Sequence, residues 1–345
     1  MRKGIKVTVL LFSAVLLLGL AACGKKNVQN PQTTAAGSEN TAETTAVLKQ
    51  QIKVAALKGP TAIGMVQLME NAKEQTAKND YEFQIAATAD EFSADLIKGN
   101  VALAALPCNA AATLYNKSNG KIRILGINTL GVLSILDTGD SVQTVADLKG
   151  KTIYTTGKGT TPDTLRYLLS SAGLNPDSDV TIEFKSEAAE VAAVMANAGT
   201  EEVIAMLPQP YAATVLMQQP DTRIALDVTE EWEKLNGSDS TVVTGVLVVN
   251  TEFYKNNRQA VDDFLKEYKS SVQYVNSNVD GAAQLVEDFD IFKAAVAKKA
   301  IPKCNITLIT GQEMQDKVEK YLKVLCDANP NAVGGQMPDD GFYVK

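Results

Sequence analysis

The sequence predicts an α/β protein built from largely parallel sheets flanked by helices. From residue 51 onward, short apolar segments of strand length alternate with amphipathic segments of helical period. The connections between them are short and rich in glycine, proline and helix-capping residues, as is typical of βα units in parallel sheets. With 345 residues, 45% of them hydrophobic, the chain is long enough for two lobes of ordinary domain size.

Each predicted strand is a short apolar run that ends in turn-forming residues. Residues 52–57 end at a Lys-Gly-Pro turn, and residues 101–106 end at Pro-Cys-Asn. In chain order, the predicted strands cover residues 52–57, 81–85, 101–106, 121–136, 152–155, 180–184, 203–207 and 242–249.

The predicted helices carry apolar residues three and four positions apart. Thr61 is placed to cap a helix over residues 62–72, and Thr161 is placed to cap a helix that has Pro162 at its first position. Further helices are predicted from Asp90 to Gly99, after residues 109 and 184, and over residues 261–275 and 314–325.

Residues 1–22 have the pattern of a secretory signal. Three basic residues open it, and residues 7–20 are almost all apolar but too few to span a bilayer. The segment Leu-Ala-Ala before Cys23 resembles the lipobox of bacterial lipoproteins. The resemblance implies cleavage before Cys23, lipidation of its thiol and a lipid anchor on the extracytoplasmic face of the cell membrane. The alternative is an ordinary secretory signal beside a chance cysteine.

Residues 23–49, which begin with that lipidated cysteine, are predicted to form a flexible linker. They are rich in Asn, Gln, Thr, Ser, Ala and Gly and contain no aromatic residue, so they cannot bury enough apolar surface to fold. About 20 such residues have a mean reach of roughly 25 Å, which would lift a folded body off the membrane.

The composition argues against several classes of function. The formal net charge is −7 and the chain has no block of basic residues, so we do not expect nucleic acid as a partner. The chain contains no histidine, which removes the commonest general base, the usual nucleophile pairs and most zinc sites. We therefore expect no catalytic residue, no metal and no cofactor.

The cysteines leave two alternatives open. If Cys23 is acylated, Cys108, Cys304 and Cys326 remain. Cys304 and Cys326 flank the last predicted helix, and an extracytoplasmic location permits a disulfide between them. Two buried free thiols are an equal alternative. For Cys108 we expect a small packed side chain rather than a reactive thiol.

Three short motifs, in order along the chain, carry a family resemblance. Residues 147–151 are DLKGK and lead into a strand, a loop and a helix, residues 207–212 are LPQPYA, and residues 248–254 are VVNTEFY. With them the chain resembles the solute-binding lipoproteins of ABC importers in the nitrate, sulfonate and thiamine-pyrimidine group. The resemblance implies the type II periplasmic-binding-protein fold, with two lobes that each hold a mainly parallel sheet flanked by helices, joined by two crossover strands.

The resemblance also implies how the folded part is divided. Lobe one would comprise residues 50–131 plus 242–345, and lobe two would be the inserted residues 132–241. The hinge crossings would lie at residues 126–130 and 243–246, where glycines can absorb changes in the backbone angles. We expect the protein to be a monomer with its ligand between the lobes.

Ligands in open α/β sheets bind beyond the carboxyl ends of the strands, which selects a few loops here. Two of these loops offer amides at a helix start, suited to an anionic or strongly polar group, although each also fits a capped turn with no ligand. Related proteins often have an acidic residue where this chain has Gln209, which counts against a cationic ligand that needs a carboxylate there. The predicted ligand-binding residues are Lys58, Gly59, Pro60, Thr61, Pro107, Cys108, Asn109, Asn128, Thr129, Gly157, Lys158, Gly159, Thr160, Thr161, Gln209 and Thr244.

The predicted function is solute capture. A lipid-anchored receptor would bind a small polar or weakly anionic organic solute, of the sulfonate, nitrate or thiamine-precursor class, and deliver it to an ABC permease. One alternative is an enzyme on the same fold that acts on a small pyrimidine-like metabolite. However, the chemistry of such relatives uses a histidine, which this chain lacks. The other alternative is a sensory lipoprotein with a degenerate cleft.

Overall fold

The computed structural model describes residues 49–344, which form two sheets flanked by helices. The predictions for the signal, for Cys23 and for the linker up to residue 48 lie outside the described residues. The strands are β1 Gln51–Leu57, β2 Asp80–Ala86, β3 Leu103–Pro107, β4 Ile122–Thr129, β5 Leu133–Asp137, β6 Thr152–Thr156, β7 Thr181–Lys185, β8 Ile204–Pro208, β9 Arg223–Asp227, β10 Gly245–Asn250 and β11 Ile306–Ile309. The helices are α1 Pro60–Ile63, α2 Val66–Lys73, α3 Asp90–Lys98, α4 Cys108–Ser118, α5 Thr160–Ser171, α6 Ala188–Ala196, α7 Tyr211–Gln218, α8 Val228–Asn236, α9 Thr251–Asn256, α10 Arg258–Ser277, α11 Val279–Asp288, α12 Ala294–Ala300 and α13 Gly311–Ala328.

The predicted α/β fold with sheets flanked by helices is confirmed, and both sheets are mixed. The first sheet has the order β11-β4-β10-β3-β1-β2, and the second has the order β7-β6-β8-β5-β9. Strands β1, β2 and β3 run parallel, as do β6, β7 and β8, whereas β10, β11, β5 and β9 pair antiparallel with their neighbours. An apolar run shows that a strand is buried on both faces but does not show its direction.

Two connections carry the chain between the sheets. Residues 130–132 lead from β4 in the first sheet to β5 in the second, and residues 237–244 lead from α8 back to β10. The first sheet therefore takes its strands from both ends of the described chain, and the second takes its strands from the middle. Among residues 49–344, no helix combines the length and the hydropathy that a membrane crossing requires.

Helices α1 and α5 begin differently from the prediction. Thr61 does not cap a helix: its hydroxyl donates to the carbonyl of Leu57 at 2.9 Å, and the predicted single helix is broken into α1 and α2. Helix α5 starts at Thr160 after Gly159, so Pro162 occupies its third position. In both cases a glycine precedes the first turn and no side chain caps it, which leaves backbone amides facing outward.

Helix α13 joins the two halves of the core. Its apolar face, predicted from the sequence, is fully buried and packs against α4, α5 and β4. The single tryptophan, Trp232 on α8, is also buried and has its ring between those of Tyr167 on α5 and Tyr321 on α13, with centroids at 4.9 and 5.2 Å. One hydrophobic cluster thus runs through residues of both sheets.

The structure has free thiols at Cys108, Cys304 and Cys326. The possible disulfide between Cys304 and Cys326 is not formed, because Cys304 packs in the cluster around α10 to α12 and Cys326 packs against a different cluster on α13. Cys108 and Cys304 are fully buried, and burial raises the pKa of both thiols. The alternative of free packed thiols describes the structure, with Cys326 half-buried.

Candidate functional site

A cleft of about 770 Å³ lies between the two sheets. The loops that follow β1, β2 and β3 line it from the first sheet, and those that follow β6, β7 and β8 line it from the second. These six strands form the parallel part of each sheet, so their carboxyl ends all face the same space. The volume is that of a site for a small organic molecule.

Most of the predicted ligand-binding residues line this cleft. They are Lys58, Gly59, Pro60, Thr61, Pro107, Asn109, Gly157, Lys158, Gly159, Thr160, Thr161, Gln209 and Thr244. Cys108, Asn128 and Thr129 do not: the first packs in the core, and the other two are fully buried where β4 ends. The rule that selects strand ends found the cleft, but it does not distinguish a residue that faces the cleft from a neighbour that faces the interior.

The start of α5 presents backbone donors to the cleft. Gly159 has φ 83° and ψ −157°, a conformation essentially restricted to glycine, and a side chain there would project toward Pro107 on the opposite side. No side chain caps the helix, and within the described residues the amides of Thr160 and Thr161 have no acceptor. The helix dipole adds partial positive charge at this point, which favours an electron-rich ligand group.

Polar contacts join the two sides of the cleft at its rim. The side-chain amide of Asn109, on α4, donates to Oδ2 of Asp163 at 2.8 Å and to the carbonyl of Gly159 at 3.0 Å, both on the second side. The ammonium of Lys158 pairs with the carboxylate of Asp90, which begins α3 on the first side. The cleft is therefore bridged by two separate pairs of loops.

Charged groups of both signs line the cleft. Burial raises the pKa of the Asp163 carboxyl, and the hydrogen bond from Asn109 and the charge of Arg166 oppose that rise. Arg166 pairs with Asp177 at 2.7 Å. Lys58 is exposed at the cleft edge and has no ion-pair partner among residues 49–344.

Two aromatic residues give the second side an apolar character. Phe184, at the end of β7, is exposed over 44% of its surface, which is unusual for a side chain of this size. Tyr211, at the start of α7, packs edge-on against Phe292 with ring centroids 5.0 Å apart. Burial, together with the nearby Glu187 carboxylate, raises the pKa of Tyr211 to about 12, so it stays protonated.

Several of these lining residues were not predicted from the sequence. Phe184 ends one predicted strand and Tyr211 follows another by four residues, so the rule that selects strand ends could have found both. Asp163 lies in the first turn of a predicted helix, where an acidic residue is common for reasons of helix stability alone. Asn329 and Asn331, which also line the cleft, follow α13, and no local pattern places that segment near the strand ends.

Behind the cleft lies a group of poorly satisfied buried polar atoms. The hydroxyls of Thr129 and Thr244 are buried and make no hydrogen bond. The buried side-chain amide of Asn128 and the hydroxyl of Tyr268 make no hydrogen bond of good geometry, but they lie close enough for the amide to oppose the rise that burial causes in the pKa of Tyr268. Gly245 and Gly64 hold this group close to the backbone, because a Cβ on Gly245 would lie 2.6 Å from Asn128 Oδ1 and one on Gly64 would lie 2.7 Å from Tyr268 Oη. Thr244 connects the group to the cleft, which it also lines.

No cluster of histidine, cysteine, aspartate or glutamate side chains within residues 49–344 has the arrangement of a metal site. The groups that line the cleft instead offer neutral hydrogen-bonding atoms, a few charges and two aromatic rings. Such a set can bind and orient a small molecule.

Comparisons with known proteins agree with this architecture. Residues 122–282, just under half of the chain, match the family model described as "NMT1/THI5 like". No curated protein sequence matches significantly. An ABC-transporter structure from Parabacteroides distasonis has 24% sequence identity and a TM-score of 0.70, over 86% of this chain and 99% of that one.

Two further solved structures carry names that state a ligand. The alkanesulfonate-binding protein SsuA from Xanthomonas axonopodis pv. citri, bound to MOPS, is 14% identical with a TM-score of 0.65, over 85% of this chain and 96% of that one. The periplasmic nitrate-binding protein NrtA from Synechocystis PCC 6803 is 14% identical with a TM-score of 0.60, over 83% and 84%. The chain thus has the two-lobed fold of the periplasmic binding proteins of ABC transporters, with residues 122–282 matching the NMT1/THI5-like family.

Proposed function

We propose that this protein is an extracytoplasmic, lipid-anchored solute receptor that delivers a small polar organic molecule to an ABC permease. The observation that carries the proposal is the cleft of about 770 Å³ into which the parallel strands of both sheets direct their carboxyl ends. The names of the similar structures, which are binding proteins and an ABC transporter, support this function over an enzyme on the same fold.

The cleft favours an organic solute over a small inorganic anion. Its volume exceeds several-fold what a single inorganic oxyanion fills, and binding is strongest when a pocket encloses most of its ligand. Apolar surface from Phe184 and Tyr211 contributes to the second side, whereas the amides at the start of α5 suit a polar or weakly anionic group. A solute with both an apolar and a polar end matches this lining.

Binding is proposed to work by a shift between open and closed arrangements of two lobes, residues 50–131 with 242–345 and residues 132–241. A ligand that touches both sides of the cleft makes all its contacts only in the closed arrangement, so it increases the population of that state. The predicted hinge crossings at residues 126–130 and 243–246 overlap β4 and β10, and the adjoining connections at residues 130–132 and 237–244 are the segments where backbone angles would change. A permease can then distinguish the loaded from the empty receptor by shape.

A solute screen with a blocked cleft tests the binding function. Compounds would be screened by thermal unfolding and by fluorescence of Trp232, whose neighbour Tyr167 lies on the helix that starts at the cleft. A Cβ on Gly59 would meet no atom within 4 Å, so Gly59→Phe should fill part of the cleft without disturbing the fold. We expect this variant to lose the stabilisation by any hit, whereas Leu235→Phe, at an exposed position on α8, should keep it.

The screen can also fail. If no solute stabilises the wild-type protein, and mass spectrometry finds none that copurifies with it, the receptor proposal is wrong and a sensory lipoprotein with a degenerate cleft becomes the better explanation. If a bound compound is chemically converted, the protein is an enzyme.

The lipid anchor has its own test. Cys23 follows the small-residue cleavage site, and two acyl chains are sufficient for stable attachment to a membrane. Protein expressed from the full-length gene should partition into detergent and carry a diacylglyceryl mass at Cys23. Cys23→Ala should remain in the aqueous phase. If the wild-type protein is released without lipid, the segment is an ordinary secretory signal.

A further inference from the structure

The carboxylate of Asp163 is the one acidic group of the cleft that combines burial with the lack of an ion pair within residues 49–344. Asp90, at the rim, is paired with Lys158, and Glu187 is exposed to solvent. Asp163 is half-buried on the first turn of α5 and lines the cleft. A buried carboxylate without a cation is costly unless another group compensates its charge.

The neighbours of Asp163 compensate its charge only in part, through the hydrogen bond from Asn109 and the charge of Arg166. Asn109 donates one neutral hydrogen bond to Oδ2, and Oδ1 accepts none from the described residues. Arg166, one turn further along α5, directs its guanidinium to Asp177 at 2.7 Å. Lys158 is held by Asp90 on the opposite side of the cleft. The carboxylate therefore keeps unused accepting capacity on a residue that lines the cleft.

The contact with Asn109 does not by itself explain why this residue is charged. A carboxamide oxygen would accept the same hydrogen bond across the cleft, at a lower desolvation cost than a carboxylate. In the first turn of α5 the negative charge also interacts favourably with the helix dipole. It contributes more when a cation, or a strongly polarised donor, binds next to it. A solute in the cleft can supply such a partner.

We propose that Asp163 is a specificity-determining residue that binds a positively charged amino or amidinium group of the solute. This inference rests on the proposed function and narrows its substrate class. The amides of Thr160 and Thr161, beside it at the same helix start, are suited to an electron-rich group, so the whole site fits a molecule with both kinds of group. The sequence argued against a cationic ligand because Gln209 replaces an acidic residue, but the fold brings a carboxylate to the cleft from another loop.

Matched pairs of compounds test this proposal. Taurine against ethanesulfonate, 3-aminopropanesulfonate against propanesulfonate, and benzamidine against benzamide each differ in the cationic group, and binding would be measured by thermal shift and calorimetry. The wild-type protein should bind the amine or amidine member of at least one pair with a Kd at least about tenfold lower, since a charge-assisted hydrogen bond commonly contributes this much.

Two isosteric variants separate specificity from a general loss of negative charge. Asp163→Asn retains an oxygen for Asn109 and should reduce the preference within the pair to about threefold or less. Glu201→Gln removes an exposed carboxylate that does not line the cleft and should leave the preference unchanged. If the members that lack an amine bind equally well, or if Asp163→Asn keeps the preference, Asp163 does not determine specificity, although solute binding stands. Failure of every compound, in these pairs and in the wider screen, would contradict the proposed function as well.

Discussion

Substitution of Gly159 by alanine should destabilise the protein, whereas the same substitution at Gly59 should not. Both glycines precede a helix at the cleft, one on each side. Gly159 has φ 83° and ψ −157°, which costs a residue with a Cβ about 1–3 kcal/mol. Gly59 is extended, with φ 163°, and a Cβ there would meet no atom within 4 Å. Packing contributes little at Gly159, since the nearest atom to a Cβ would be Pro107 Cγ at 3.5 Å.

The backbone strain converts into a measurable melting shift. An unfolding entropy of about 2.1 cal/mol/K per residue gives roughly 0.6 kcal/mol/K for a folded part of about 300 residues. Gly159→Ala should thus lower Tm by about 2–5 °C in differential scanning calorimetry, without ligand. Gly59→Ala should leave Tm unchanged or raise it slightly, because alanine restricts the unfolded chain. Equal Tm values for Gly159→Ala and the wild type, or equal losses in both variants, would refute the backbone argument.

Two further predictions concern buried polar groups. Tyr343→Phe removes a buried hydroxyl that has no hydrogen-bond partner among residues 49–344 and should stabilise the protein by about 1 kcal/mol, whereas Tyr321→Phe, which removes a 3.3 Å contact with Thr164, should destabilise it by a similar amount in urea unfolding. A loss of stability in Tyr343→Phe would mean that its hydroxyl is satisfied. Burial raises the pKa of Asp163, and the charge of Arg166 opposes this rise only in part. Tyr321 on α13 also lies within reach of the Asp163 charge. Because the pKa is raised, the folded state binds the proton of Asp163 more tightly than the unfolded state does. The ionised Asp163 therefore lowers the stability of the folded state as pH rises from the unfolded pKa through the folded pKa. Asp163→Asn should be more stable than the wild type at pH 7 but not at acidic pH near the unfolded pKa. Melting curves of both proteins across this pH range are the check.

The sequence was a good guide to elements with a strong local signal. The strand at β1 and the apolar face of α13 were predicted nearly as they occur, because their burial patterns are visible within a few residues. Strands β9 and β11 were missed, since they lie at sheet edges, are only partly buried and are four or five residues long. The direction of β10 was also beyond local patterns, because it depends on where the chain re-enters the first sheet.

The candidate site shows the same division between local and non-local information. The loop at Gly157 to Thr161 was predicted because a strand, glycines and a helix start follow each other in the chain. Asn128 was predicted as a ligand contact but is fully buried at the end of β4, because alternation along a strand decides the facing side and Gly245 packs against it. The contact of Asn109 with Asp163 joins residues 54 positions apart. It depends on both sheets and has no sequence signal.

The contacts across the rim are weak enough for a ligand to replace. The pair of Lys158 and Asp90 is exposed on both sides, at 72% and 66% of the side chains, and such pairs contribute about 0–1 kcal/mol. The hydrogen bond from Asn109 to Asp163 contributes about 1.5–3 kcal/mol because its acceptor is charged. Under the proposed binding mechanism, a total of about 2–4 kcal/mol from these two contacts alone would correspond to an open population of roughly 0.1–3% without ligand. Solute would then enter through this minor state, and a cation that binds Oδ1 of Asp163 would leave the bond from Asn109 to Oδ2 in place. The same carboxylate would then recognise the solute and help to hold the cleft closed around it.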